Sequence, residues 1–191
     1  WSCFMASHGL NKGVVRRLYT NGKLEQLNCQ LACAASRPCD PFTIRYTQLL
    51  AEALFEERRA ERRGPRRLYR GLQLFSAELQ RAYEERVGRR VYFHSFTSTS
   101  ADPSVALRFA QPSGWRMVID TRGSAGDCVA SVAHLSEYDE QEVLISANAG
   151  FRVDAVVRSQ RVVRLTLVDE THCLRRRTAT SATCHRCQGG C

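Results

Sequence analysis

The amino-acid sequence predicts an α+β fold in which helices lead and strands trail. Three features carry this: a helical apolar period between residues 44 and 60, short β-branched runs joined by hairpin-length connections later on, and no regular strand–helix alternation. The first 40 residues read as short helices and loops tied down by cysteines. Asp40-Pro41 then supplies an N-cap and a first-turn proline, and Tyr46, Leu49, Leu50, Ala53 and Leu54 recur at helical spacing as far as about Ala60. Gly64-Pro65 ends that helix, and the arginine-rich run from Arg58 to Arg67 is its solvated, charged end. Leu68 to Leu72 reads as a strand, Ser76 to Glu85 as a capped helix, and Val91 to Ser98 as another strand. Asp102-Pro103 opens a short helix carrying Val105, Ala106 and Phe109. Strands follow at Trp115 to Thr121, Glu142 to Ser146, Phe151 to Arg158 and Val162 to Val168, all rich in β-branched residues. No Gly-x-Gly-x-x-Gly opens a helix after a strand, which disfavours a Rossmann nucleotide site.

A chain of 191 residues, 43% hydrophobic and 25% charged, suits one soluble globular domain with a substantial core. Neither an internal repeat nor a Pro/Gly/Ser linker divides it. The expected parts are a helical stretch over residues 1–66, a β-rich core over 67–170 and a cysteine-rich tail over 171–191. No apolar run is long enough for a transmembrane helix, so no membrane span is expected. Residues Trp1 to His8 lack the pattern of a signal peptide, which leaves secretion of a trimmed chain open. The net charge of +9 raises nucleic acid or an anionic surface as partners. No interleaved basic-aromatic stripe or nucleic-acid motif supports that, and no nucleic-acid partner is expected. Of the 28 basic residues only Lys12 and Lys23 are lysines. An arginine-biased genome and lysine depletion in a toxin-like chain both account for this.

Nine cysteines form an early cluster (Cys29, Cys33, Cys39) and a late one (Cys173, Cys184, Cys187, Cys191), with Cys3 and Cys128 apart. Disulfides in an oxidising compartment are the favoured explanation, and their connectivity is open. A zinc site built from Cys184, His185 and Cys187 with His172, Cys173 and Cys191 is the alternative, although a single Cys-x-x-Cys pair is a weak metal signal.

Three segments bear chemistry. In Leu68-Tyr69-Arg70-Gly71-Leu72 a guanidinium sits in an apolar strand, where it needs an anionic partner such as a phosphate or carboxylate. Gly71 beside it would let a flat ligand approach the backbone. In Phe96-Thr97-Ser98-Thr99-Ser100 three successive hydroxyl residues after Thr97 close a strand, able to bond a ligand or orient a carboxylate. In Tyr138-Asp139-Glu140-Gln141-Glu142-Val143-Leu144-Ile145 an acidic cluster runs into an apolar strand. Two-residue periodicity would put Glu140 and Glu142 on one face, where paired carboxylates resist joint ionisation and serve acid–base or electrostatic roles. Each segment alone is also explained by ordinary structure: a salt bridge, a polar strand end, and a polar loop before an edge strand.

Taken in order, Arg, Ser-Thr-Ser after a strand and Glu-x-Glu entering a strand, the chain resembles the arginine-specific mono-ADP-ribosyltransferases. This group includes vertebrate ectoenzymes and clostridial actin-modifying toxins. The likeness runs from about Leu68 to Val157, with Ser98 and Glu142 44 positions apart. The resemblance implies a fold with a helical N-terminal part and two packed, mainly antiparallel sheets around an NAD cleft. It implies transfer of ADP-ribose from NAD, as co-substrate, to arginine of a target protein, with no metal. Arg70 would bind the NAD diphosphate, Gly71 backbone groups the nicotinamide amide, and Phe109 would stack near the nicotinamide ring. Ser98 would orient Glu142, which would stabilise the oxocarbenium-like charge. Glu140 would engage the incoming guanidinium, and Tyr138 would be the exposed aromatic of a substrate loop from Ala133 to Asp139. Many relatives place this aromatic five positions before the final glutamate with proline after it; here Tyr138 is four before Glu142 and Asp139 follows. An NAD glycohydrolase, a catalytically inactive binding module and a basic nucleic-acid-binding protein are the competing functions. A secreted or extracellular location is expected, with delivery into a target cell left open.

Overall fold

The computed structural model describes residues 41–60, 66–122, 128–135 and 140–168. Helix α1 (Pro41–Ala60) forms where the apolar period predicts it. Tyr46, Leu49, Leu50 and Ala53 are its buried stripe, and they face β5 (Val129–Ser131). Strand β1 (Arg67–Leu72) follows, then α2 (Ala77–Glu84), whose N-cap Ser76 accepts the Leu79 amide. Helix α3 (Pro103–Ala110) starts with Asp102 accepting the Ser104 amide and Pro103 in the first turn. Both caps are the residues that the sequence singles out.

The predicted strand from Val91 to Ser98 divides into β2 (Arg90–Phe93) and β3 (Thr97–Ser100). The cause is topological. β2 pairs only with β7 (Ala149–Val157), whereas β3 pairs with β1 and β6 (Glu142–Ile145), so the chain crosses from one part of the sheet to another. With β4 (Trp115–Asp120) and β8 (Val162–Leu167), the described strands follow one hydrogen-bonded order, β2-β7-β8-β4-β1-β3-β6-β5. All pairs are antiparallel except β4–β8.

Where the resemblance implies two packed, mainly antiparallel sheets, the described strands form one continuous hydrogen-bonded ladder. Its joint is thin, however, because β1 meets β3 through the single partner pair Tyr69↔Ser100, while β1 and β4 share six pairs from Arg67↔Asp120 to Leu72↔Trp115. The two parts still share a core. Leu68, Ile119, Phe151 and Leu165 from the larger part cluster with Val143, Ile145 and Val129 from the smaller. Each such side chain, when fully buried, contributes about 1.5–3 kcal/mol. Among the described residues no helix is long and apolar enough to cross a membrane. The early and late cysteine clusters and the tail lie outside the described residues; Cys128 is buried in the core.

Candidate active site

The thin joint between β1 and β3 creates the site. Past Tyr69↔Ser100 the ladder stops, so Arg70 and Gly71 have no β3 partner although Ser98 lies on the facing strand. Arg70 spans this split: its Nη1 donates to the Ser98 carbonyl at 2.9 Å. A half-buried guanidinium with a five-donor fork calls for more than one acceptor, and the fork is of the kind that pairs with carboxylates and phosphates.

Across the split stands the second pair. The Ser98 hydroxyl donates to Glu142 Oε1 at 2.7 Å. Glu142 opens β6, and antiparallel pairing sets it opposite Ser100, two residues from Ser98 on the same strand face. Only 6% of Glu142 remains exposed. Burial pushes its carboxyl pKa up, the Ser98 hydrogen bond pulls it down, and the nearby Glu140 charge pushes it up again. The result is a carboxylate that is desolvated, oriented and costly to ionise, the condition in which a charge acts most strongly on a ligand.

Glu140 reaches this neighbourhood by another route than the sequence suggests. β6 begins only at Glu142, and Gln141 has φ of 43°, a left-handed backbone. Simple strand alternation therefore does not operate between Glu140 and Glu142. A bend brings them together, at a strain on the order of 1–3 kcal/mol for a non-glycine residue. Hydrogen bonds hold it. Ser100 Oγ donates to the Glu140 carbonyl at 2.6 Å and accepts the Asp102 amide at 2.9 Å, while the Ala101 amide donates to the Gln141 carbonyl at 3.3 Å. The end of β3, the start of α3 and the Glu140 bend are thus tied at one hydroxyl.

Gly71 is explained first by packing. A Cβ there would stand 2.3 Å from the Ala106 carbonyl, 2.5 Å from the Ala110 nitrogen and 2.7 Å from Phe109 Cβ. The close approach predicted for a ligand is, on that side, the approach of α3. Its consequence is to fix Phe109, 47% exposed, against the Arg70-Gly71 strand. Arg70, Gly71, Ser98, Glu140, Glu142 and Phe109 therefore gather around the split, whereas Tyr138 lies outside the described residues. Tyr83 on α2 stacks its ring on Phe75, and nothing in the sequence sets it apart from the other apolar positions of that helix, Ala77, Leu79 and Ala82. Among the described residues no group of three or more His, Cys, Asp or Glu side chains could hold a metal ion.

A family model described as NAD:arginine ADP-ribosyltransferase matches residues 42–173, more than half of the chain. The chain belongs to the NAD:arginine ADP-ribosyltransferase family. It is a transferase that uses NAD as co-substrate and passes ADP-ribose to arginine. Solved structures share its fold. Exoenzyme S of Pseudomonas aeruginosa, solved with human 14-3-3 protein beta and carba-NAD, is 18% identical over 90% of this chain and 84% of its own, with a TM-score of 0.62. Plx2a, a toxin from Paenibacillus larvae, is 16% identical over 88% of this chain and 91% of its own, with a TM-score of 0.61. The Clostridium limosum C3 exoenzyme is 11% identical over 82% and 84%, with a TM-score of 0.60. No curated protein matches the sequence of this transferase.

Proposed function

We propose that Arg70, Ser98 and Glu142 form the NAD-cleaving set of this transferase and that Glu140 receives the arginine. The Ser98–Glu142 hydrogen bond at 2.7 Å, set across the split from Arg70, is the observation that supports it. Arg70 binds the diphosphate, and Gly71 and Phe109 receive the nicotinamide end. The bond between ribose C1 and the nicotinamide nitrogen breaks heterolytically, and its electron pair leaves with neutral nicotinamide. The buried Glu142 carboxylate faces the oxocarbenium-like sugar and stabilises its positive charge. A guanidine nitrogen then forms the new bond to C1, and the proton it loses passes to the Glu140 carboxylate. Tyr138 and the loop that bears it recognise the target protein.

A secreted protein that acts outside the cell making it accords with nine cysteines, seven of them in an early and a late cluster, and with the fold shared with the Plx2a toxin. The chemistry is tested by incubating the purified protein with adenylate-labelled NAD and agmatine. Nicotinamide release with labelled agmatine is expected. Release with free ADP-ribose alone would make it a glycohydrolase, and no NAD consumption would defeat the residue assignment.

A further inference from the structure

Arg70 shares its face of β1 with Leu68 and Leu72, and its partner on β4 is Met117, next but one to Trp115. The Arg70 side chain therefore leaves the same sheet face as Trp115 and Met117. Phe75 stacks on Trp115 with ring centroids 4.7 Å apart, and Tyr83 stacks on Phe75 at 5.7 Å. Three stacked rings thus lie on the sheet face from which Arg70 leaves, and the Arg70 charge acts on Tyr83. The helix that carries Tyr83 is anchored at the next residue: Glu84 accepts Arg158 Nε at 2.6 Å and Nη2 at 2.5 Å, and Gln80 Nε2 at 2.8 Å. A bidentate pair of this kind sets the orientation of α2.

The Tyr83 ring is packed and half-buried, yet among the described residues its hydroxyl makes no hydrogen bond. A phenol buried to that extent ordinarily finds a partner. We propose that the Tyr83 hydroxyl is a further NAD contact, donating to the diphosphate that Arg70 holds. This rests on the assignment of Arg70 to the diphosphate. Burial pushes the phenol pKa up to about 12 against the opposing pull of Arg70 and Arg86, so the group stays a neutral donor at every working pH. A diphosphate offers several acceptor oxygens, so a neutral phenol O–H and a guanidinium can both donate to it.

Tyr83→Phe removes the hydroxyl and keeps the ring stack. Steady-state kinetics with NAD, inhibition by ADP-ribose and by nicotinamide, and a melting curve are measured for this variant and the wild type. Loss of one hydrogen bond to a charged group is expected to raise the NAD KM and weaken ADP-ribose inhibition about tenfold. The kcat, nicotinamide inhibition and melting temperature stay at wild-type values. An unchanged NAD KM, or nicotinamide weakened as much as ADP-ribose, would overturn the contact, as would a fall in melting temperature that accompanies the loss of binding. Wild-type protein that consumes no NAD would instead defeat the Arg70 assignment itself.

Discussion

Glu142 and Glu140 are two residues apart and are held in opposite ways. Glu142 is part of a strand, buried, and gripped by its side chain through Ser98. Glu140 lies before the strand, half-buried, beyond the left-handed Gln141, and the bond from Ser100 grips its carbonyl. The carboxylate assigned to cleavage is locked in a β-ladder, and the one assigned to the acceptor stands on a bend whose side chain is left to meet what arrives. The difference teaches that one motif can serve two steps with separate mechanical demands. Cleavage needs a fixed charge aimed at a developing cation, whereas acceptor capture needs a charge that can adjust to a protein surface.

The largest expected effect comes from Glu142→Gln. Removing a preorganised charge should lower kcat for NAD cleavage by roughly 10³-fold, with hydrolysis and transfer falling together. The same change should raise the melting temperature at neutral pH. Glu142 has a folded-state pKa above its unfolded value, so its stabilising contribution is present below the unfolded pKa and is lost as pH rises through the folded one. At pH 7 the wild type bears that cost and the glutamine does not. A fall in both activity and melting temperature would break the picture of a buried, unfavourably ionised carboxylate.

Gly71→Ala should come next, through structure. The new methyl would meet the backbone of α3 at 2.3 and 2.5 Å, so α3 must shift, at about 1–3 kcal/mol. Thermal denaturation checks this, and an unchanged melting temperature would show that α3 yields freely. Ser98→Ala should be milder than loss of Glu142: about a tenfold fall in NAD cleavage at neutral pH. Because the Ser98 hydroxyl pulls the Glu142 pKa down, its removal should move the acidic limb of the pH–rate profile to higher pH. A shift to lower pH would contradict the orienting role.

Local chemistry made much of this legible in the sequence. Ser76 and Asp102 cap their helices as residue type predicts, and the period of Tyr46, Leu49, Leu50 and Ala53 marks the buried face of α1. The Arg, Ser and Glu motifs were visible, and their meeting at one split was not derivable from any one of them. What failed was long-range. The run Val91 to Ser98 looks continuous because β propensity carries no information on partners, and only pairing with β7 on one side and β6 on the other divides it. β5 went unnoticed because three residues, Val129 to Ser131, are too few to show alternation. Glu140 and Glu142 were brought together for the wrong reason, since the bend at Gln141 depends on Ser100, 40 positions before Glu140. That α3 also packs against Gly71 was not legible, because the sequence does not say which helix lies on that strand.

The separation of cleavage from acceptor capture is tested most directly by Glu140→Gln, with NAD and agmatine as substrates and both nicotinamide and ADP-ribosyl-agmatine measured. Nicotinamide release should persist near the wild-type rate while labelled agmatine falls at least about tenfold, as expected for loss of one charged pairing partner. The acidic limb for cleavage should also move to lower pH, because the Glu140 charge raises the Glu142 pKa. Equal losses of release and transfer, or undiminished transfer, would contradict the division of labour between the two glutamates.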